Sequence, residues 1–147
     1  TLSPSSAASD VYKRQIFLNV ESRNDNIDID GVFSAFLTIQ EVLELAKYSK
    51  ALIGLRSGLF EIASATSKKP SFVIYNSYRE WLVNRLSPQE TLKGFTMKKL
   101  PDIQPDDIHE YCWNEYSPDE LVYDITEQIK KLSDKNLKKE TLYDTGR

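Results

Sequence analysis

The chain has 147 residues, 28% of them charged, and a formal net charge of −3. That length builds one small domain with a real core, and an acidic balance without any Lys/Arg run speaks against nucleic-acid binding. Cys112 and His109 are each alone of their type, which excludes an intrachain disulfide, leaves no ligand set for a structural zinc and points to a reducing compartment.

Ser5 to Gln15 resembles, residue for residue, the translation of a transposase sequencing adapter. Residues 1–15 are therefore expected to be an adapter-derived, disordered leader and are set aside from fold reasoning. A natural Ser/Ala-rich leader is the alternative. The remainder is expected to be a fragment whose natural N-terminus is missing, with a domain over 16–133 and a polar, solvated tail over 134–147.

Ile16 to Val20 is a short apolar run and reads as a buried strand. Glu21 to Gly31 is acidic and loop-like, and its aspartates do not have the spacing of an EF-hand loop. Thr38-Ile39-Gln40-Glu41 has the form of a capping box, and Ile39, Val42, Leu43 and Ala46 mark an amphipathic helix to about Tyr48. Ala51 to Leu55 is apolar at nearly every position, the pattern of a parallel strand covered on both faces. Leu59 to about Thr66 reads as a helix, and Ser71 to Tyr75 as a second buried strand.

Ser77 to Leu86 has a helical pattern, with Trp81, Leu82 and Leu86 available to pack. Ser87-Pro88-Gln89-Glu90 is a second capping box, with Pro at the first helical position. Phe95 to Leu100 and Ile108 to Trp113 are short strands or extended connections. Ser117-Pro118-Asp119-Glu120 is a third capping box. Leu121, Val122, Ile125, Ile129 and Leu132 follow it at helical spacing. The alternation of helix and apolar strand predicts an α/β fold: a Rossmann-like parallel sheet with helices on both faces. Ala51 to Leu55 is expected at its centre, with Ser71 to Tyr75 and Ile16 to Val20 beside it. The longest apolar runs are far too short to span a bilayer.

Between the two central runs lies Arg56-Ser57-Gly58-Leu59-Phe60-Glu61. A helix that starts at a glycine just past a strand offers free N–H groups and the positive end of its dipole, a seat for phosphate. In open α/β sheets ligands sit at that end of the strands. Ile53-Gly54-Leu55, Arg56-Ser57-Gly58-Leu59, Ala63-Ser64-Ala65 and Pro70-Ser71-Phe72-Val73-Ile74-Tyr75 together resemble the C-terminal, donor-binding half of a GT-B glycosyltransferase. The likeness is to heptosyltransferase-like enzymes and related bacterial capsule or surface-polysaccharide transferases, and it covers about Ile16 to Asn76.

The resemblance implies transfer of a sugar from a nucleotide-sugar donor, a substrate rather than a bound cofactor, to a glycan or lipid-linked acceptor. The acceptor half and the catalytic base would belong to a missing N-terminal domain, so no catalytic residue and no metal ligand is assigned here. Arg56, Ser57, Gly58 and Leu59 would take the donor diphosphate and Glu61 the ribose. A cytoplasmic location follows, with a peripheral seat on the inner face of the membrane as a variant. The family turn usually opens with Asp and carries a His a few residues on. Arg56 and Glu61 stand in those places, so the sugar, the base and the detailed phosphate contacts do not carry over.

Each residue also has a purely structural reading. Gly58 permits a tight turn or a positive φ, Ser57 is an ordinary N-cap, and Glu61 complements the helix dipole. Arg56 pairs with a carboxylate such as Glu61 or Asp28. His109 and Cys112 read as packing or surface residues, Asp106-Asp107 as a turn, and Tyr111, Trp113 and Tyr116 as core or interface aromatics. A non-catalytic α/β interaction or regulatory module is the competing reading of the whole, because fold alone does not choose.

Overall fold

The structure is a computed structural model that describes residues 16–20, 22–24, 27–77 and 86–144. The expected leader over 1–15 and most of the helical pattern at Ser77 to Leu86 lie outside the described residues. The chain divides into two compact units, Thr1–Val42 and Leu43–Arg147.

In the first unit β1 (Ile16–Asn19) pairs in parallel with β2 (Val32–Ala35), Ile16 opposite Val32. Phe17 and Phe33 meet edge to face across the pair at 5.8 Å. Helix α1 (Ile39–Tyr48), whose first turn belongs to this unit and whose remainder belongs to the second, starts with the expected capping box. The Thr38 N–H donates to Glu41 Oε1 (3.0 Å) and the Glu41 N–H to Thr38 Oγ1 (3.2 Å), so two orphan donors are satisfied reciprocally. Those two bonds hold the exposed Glu41 carboxyl below its ordinary value.

The second unit carries a three-stranded sheet in the order β3 (Leu52–Leu55), β4 (Ser71–Tyr75), β5 (Ile108–Cys112), all parallel. Parallel neighbours need crossovers, and helix α2 (Gly58–Ser67) makes the first of them. Helix α3 (Pro88–Phe95) and helix α4 (Pro118–Asp144) complete the unit. On one face Val73, Tyr75 and Ile108 pack with Met97, Ile103, Phe60 and Ala65 of α2, and Leu92 of α3. On the other, Phe72, Ile74 and Tyr111 pack under Leu121, Ile125, Ile129 and Leu132 of α4. This is a Rossmann-like α/β arrangement with helices on both faces of a parallel sheet.

Three expectations are corrected. The central strand is β4, not Ala51 to Leu55. Phe72, Val73 and Tyr75 are wholly buried, whereas Ile53 and Leu55 on β3 are 56% and 52% exposed. Both runs are apolar, so period alone could not rank them. The strand with helices over both faces is the one that has a neighbour on each side. Ile16 to Val20 pairs with β2 rather than with β3, because Val32–Ala35, hidden behind the acidic loop, supplies a parallel partner in register. Phe95 to Leu100 is not a strand: α3 runs through Phe95 and a 3₁₀ turn occupies Met97–Lys99.

The remaining capping boxes form as expected. Ser87 and Glu90 exchange bonds at α3, with Pro88 at its first position. Ser117 and Glu120 do the same at α4. Helix α4 continues to Asp144, through most of the polar 134–147 segment.

Candidate functional site

The C-terminal ends of β3, β4 and β5 carry a connected set of polar side chains. Arg56 follows β3 directly, and its N–H donates to the Ile74 carbonyl (3.1 Å), which extends the ladder by one step. Ser57, with extended backbone (φ −154°, ψ 162°), is the N-cap of α2: its Oγ accepts from the Phe60 N–H at 3.2 Å. The Glu61 N–H reaches the Ser57 carbonyl at 3.0 Å. The first turn is thereby closed at Phe60 and Glu61. The N–H groups of Gly58 and Leu59 keep no acceptor within the helix.

Gly58 is not required by the fold. Its φ lies outside the left-handed region, and a Cβ built there would meet nothing within 4 Å. Gly54 is the opposite case, since its Cβ would stand 2.6 Å from Cδ2 of Phe60. The aromatic ring of Phe60 therefore seals α2 onto β3 only because position 54 has no side chain.

Of the two carboxylates considered for Arg56, Glu61 is the partner: Nη1 donates to Glu61 Oε2 at 3.1 Å. Nε donates to the Phe95 carbonyl at the end of α3 (3.1 Å), and Nη1 also approaches the Ser57 carbonyl at 3.4 Å. The Arg56 side chain is partly buried, at 17% exposure against 36% for that of Glu61. A buried Arg is stable when its charge is matched, and here a carboxylate and a helix C-terminus match it. The Nη2 donors have no partner among the described residues. Arg56, Ser57, Gly58, Leu59 and Glu61 are thus contiguous around the first turn of α2.

Sequence reasoning missed the next layer. Glu110 sits on β5 opposite Val73, on the α2–α3 face of the sheet. Its Oε1 accepts from the Thr96 hydroxyl at 2.7 Å, and its Oε2 accepts from the Met97 N–H at 3.2 Å and from the Tyr75 hydroxyl. Burial first, then the Glu110 carboxylate, push the Tyr75 hydroxyl well above its ordinary value. The signal available was an acid between Ile108 and Cys112 on one face of the strand, where the carboxylate must find donors.

The other expected residues are structural here. His109 stacks on Phe72 at 4.6 Å. Burial, and secondly Lys98, hold its imidazole below the ordinary value. Cys112 is buried, and that burial pushes its thiol up. Tyr111 donates to Asp124 of α4 (2.6 Å) and meets Tyr116 edge to face at 5.5 Å, so it belongs to the core. Trp113 is half exposed. Asp106 and Asp107 lie in a 3₁₀ turn leading into β5. Among the described residues no group of three or more His, Cys, Asp or Glu could hold a metal ion, and no helix is long and apolar enough to cross a membrane. Comparison with protein-family models, curated proteins and solved structures finds no significant match.

Proposed function

We propose that the second unit is the donor-binding half of a GT-B-type glycosyltransferase acting in polysaccharide synthesis, with a nucleotide-sugar diphosphate seated on the first turn of α2. The observation that carries this reading is Gly58. Neither its φ nor its surroundings require a glycine, and it stands where two free N–H groups and the Ser57 hydroxyl face outward from a helix N-terminus. Those N–H groups have no acceptor among the described residues, and a missing side chain at such a place lets a phosphate approach the backbone. The Ser57 Oγ accepts from Phe60, and its proton remains available to a phosphate oxygen. Arg56 offers the Nη2 donors, a fixed cation beside charge that grows on the leaving diphosphate.

Glu61 spends Oε2 on Arg56 and keeps Oε1 for a ribose hydroxyl. On this reading the acceptor, a glycan or a lipid-linked sugar, binds on a partner domain that also brings the catalytic base. The enzyme works in the cytoplasm or against the inner face of the membrane.

The test is a titration of the ¹⁵N-labelled protein with UDP, GDP, ADP and CDP. The amides of Ser57, Gly58, Leu59 and Phe60 are expected to shift before any others. Gly58→Val abolishes the shifts, and Arg56→Ala weakens binding by about 1.5–3 kcal/mol, the range of a charge-assisted hydrogen bond. Titrations that move no signal between Arg56 and Glu61 reject the assignment. The interaction-module reading then leads. Its own support is the exposed apolar pair Ile53 and Leu55 on the outer strand β3.

A further inference from the structure

We infer that Glu110 is a positioning residue for Arg56, acting across the sheet through the turn that ends α3; this deepens the donor-site reading and rests on it for its ligand. Three donors converge on the Glu110 carboxylate, and two of them, the Thr96 hydroxyl and the Met97 N–H, belong to the residues directly after α3. The third, the Tyr75 hydroxyl, also accepts from the Met97 N–H at 3.2 Å and lies 3.4 Å from the Phe95 carbonyl oxygen. The turn 95–97 is therefore pinned to β4 and β5 from beneath.

The group it presents upward is the Phe95 carbonyl, which takes Nε of Arg56 at 3.1 Å. A guanidinium is planar, so fixing Nε on one acceptor and Nη1 on Glu61 sets the direction of the remaining Nη2 fork. Arg56 itself has no bond to Glu110. Its orientation is set through the Phe95 carbonyl.

Glu110 lies on β5, two strands from β3, and a carboxylate serving only the core would have no need to collect the backbone of another element's exit. Phe95 is itself 56% exposed, while Met97 two residues on is wholly buried in the core, so apolar packing anchors the far end of the turn and the Phe95 carbonyl is aimed by hydrogen bonds. The bonds from the Thr96 hydroxyl and the Met97 N–H to Glu110 add to that anchor. A charged acceptor suits this role, because hydrogen bonds to a carboxylate are stronger than those to a neutral group.

The experiment reads the Arg56 Nε–H resonance and its hydrogen-exchange rate by NMR, without ligand and then with UDP. Glu110→Gln puts an amide NH₂ where donors converge, and is expected to speed exchange at Arg56 Nε–H by tenfold or more and to shift its resonance. The Phe60 amide, capped by Ser57 alone, stays unchanged. Thr96→Val, which removes one pin and keeps the carboxylate, gives a smaller change in the same direction and serves where Glu110→Gln does not fold. UDP affinity falls about fivefold in Glu110→Gln and less in Thr96→Val. A folded variant with lowered stability but an unaltered Arg56 Nε–H signal overturns the inference and leaves Glu110 a plain core residue. Wild-type protein that ignores UDP while Glu110→Gln still frees Arg56 Nε–H overturns the donor site and leaves the positioning intact.

Discussion

Gly54 and Gly58 are four residues apart and answer to opposite constraints. At position 54 any Cβ meets the Phe60 ring at 2.6 Å, and Phe60 packs against the core formed by Val73, Tyr75 and Met97. Gly54→Ala is therefore expected to destabilise by about 1–3 kcal/mol, the usual cost of overpacking. Gly58→Ala opens the helix with a residue that fits its backbone, and is expected to leave stability unchanged or raise it by up to about 1 kcal/mol. Urea denaturation of the two variants checks the contrast, and equal losses would contradict it. His109 gives a pH dependence whose sign follows from its surroundings. Its imidazole titrates below the ordinary 6.5 in the folded chain, by burial and then Lys98. The unfolded chain thus takes up the proton first, and stability is full above 6.5 and lost as pH falls below it. The urea midpoint is expected to drop between pH 7.5 and pH 5.5 by more in the wild type than in His109→Gln. Equal drops would show that His109 carries none of the acid sensitivity.

At the level of elements, the caps and the faces tell different stories. All three Ser/Thr-x-x-Glu boxes form as local sequence predicts, because the donors and acceptors involved are within one turn of each other. Faces depend on distant partners. Of the five apolar positions that mark α4, Leu121, Ile125, Ile129 and Leu132 face the sheet, while Val122 is 64% exposed. Tyr111 adds a polar tie to the same face through Asp124, and burial with that carboxylate pushes its hydroxyl up. Ile125→Ala is expected to cost about 2–4 kcal/mol, as for buried aliphatic truncations, and Val122→Ala to stay within about 0.5 kcal/mol, as for an exposed position. Thermal melts of the pair distinguish them, and comparable losses would mean that α4 docks through another face.

At the scale of the molecule, the α/β class and the turn between the two main apolar runs were legible from local pattern: period, caps and a Ser-Gly helix start. Their parallel pairing was legible from the short helix between them, which makes a crossover. The contiguity of Arg56, Ser57, Gly58, Leu59 and Glu61 was equally a property of sequence, since one helical turn brings them together. What only the tertiary structure decided was the rank of the strands and the second layer of the site. Two equally apolar runs differ in burial only through what packs over them, and β4 acquired a neighbour on each side when Ile108–Cys112 joined it. Glu110 and Tyr75 reach Thr96 and Met97 through strand register, with sequence separations of 13 to 22 residues. Composition carries no trace of a register. Physical adjacency across a sheet is fixed by hydrogen-bonded pairing and side-chain packing, which are summed over the whole unit and not written in any one segment.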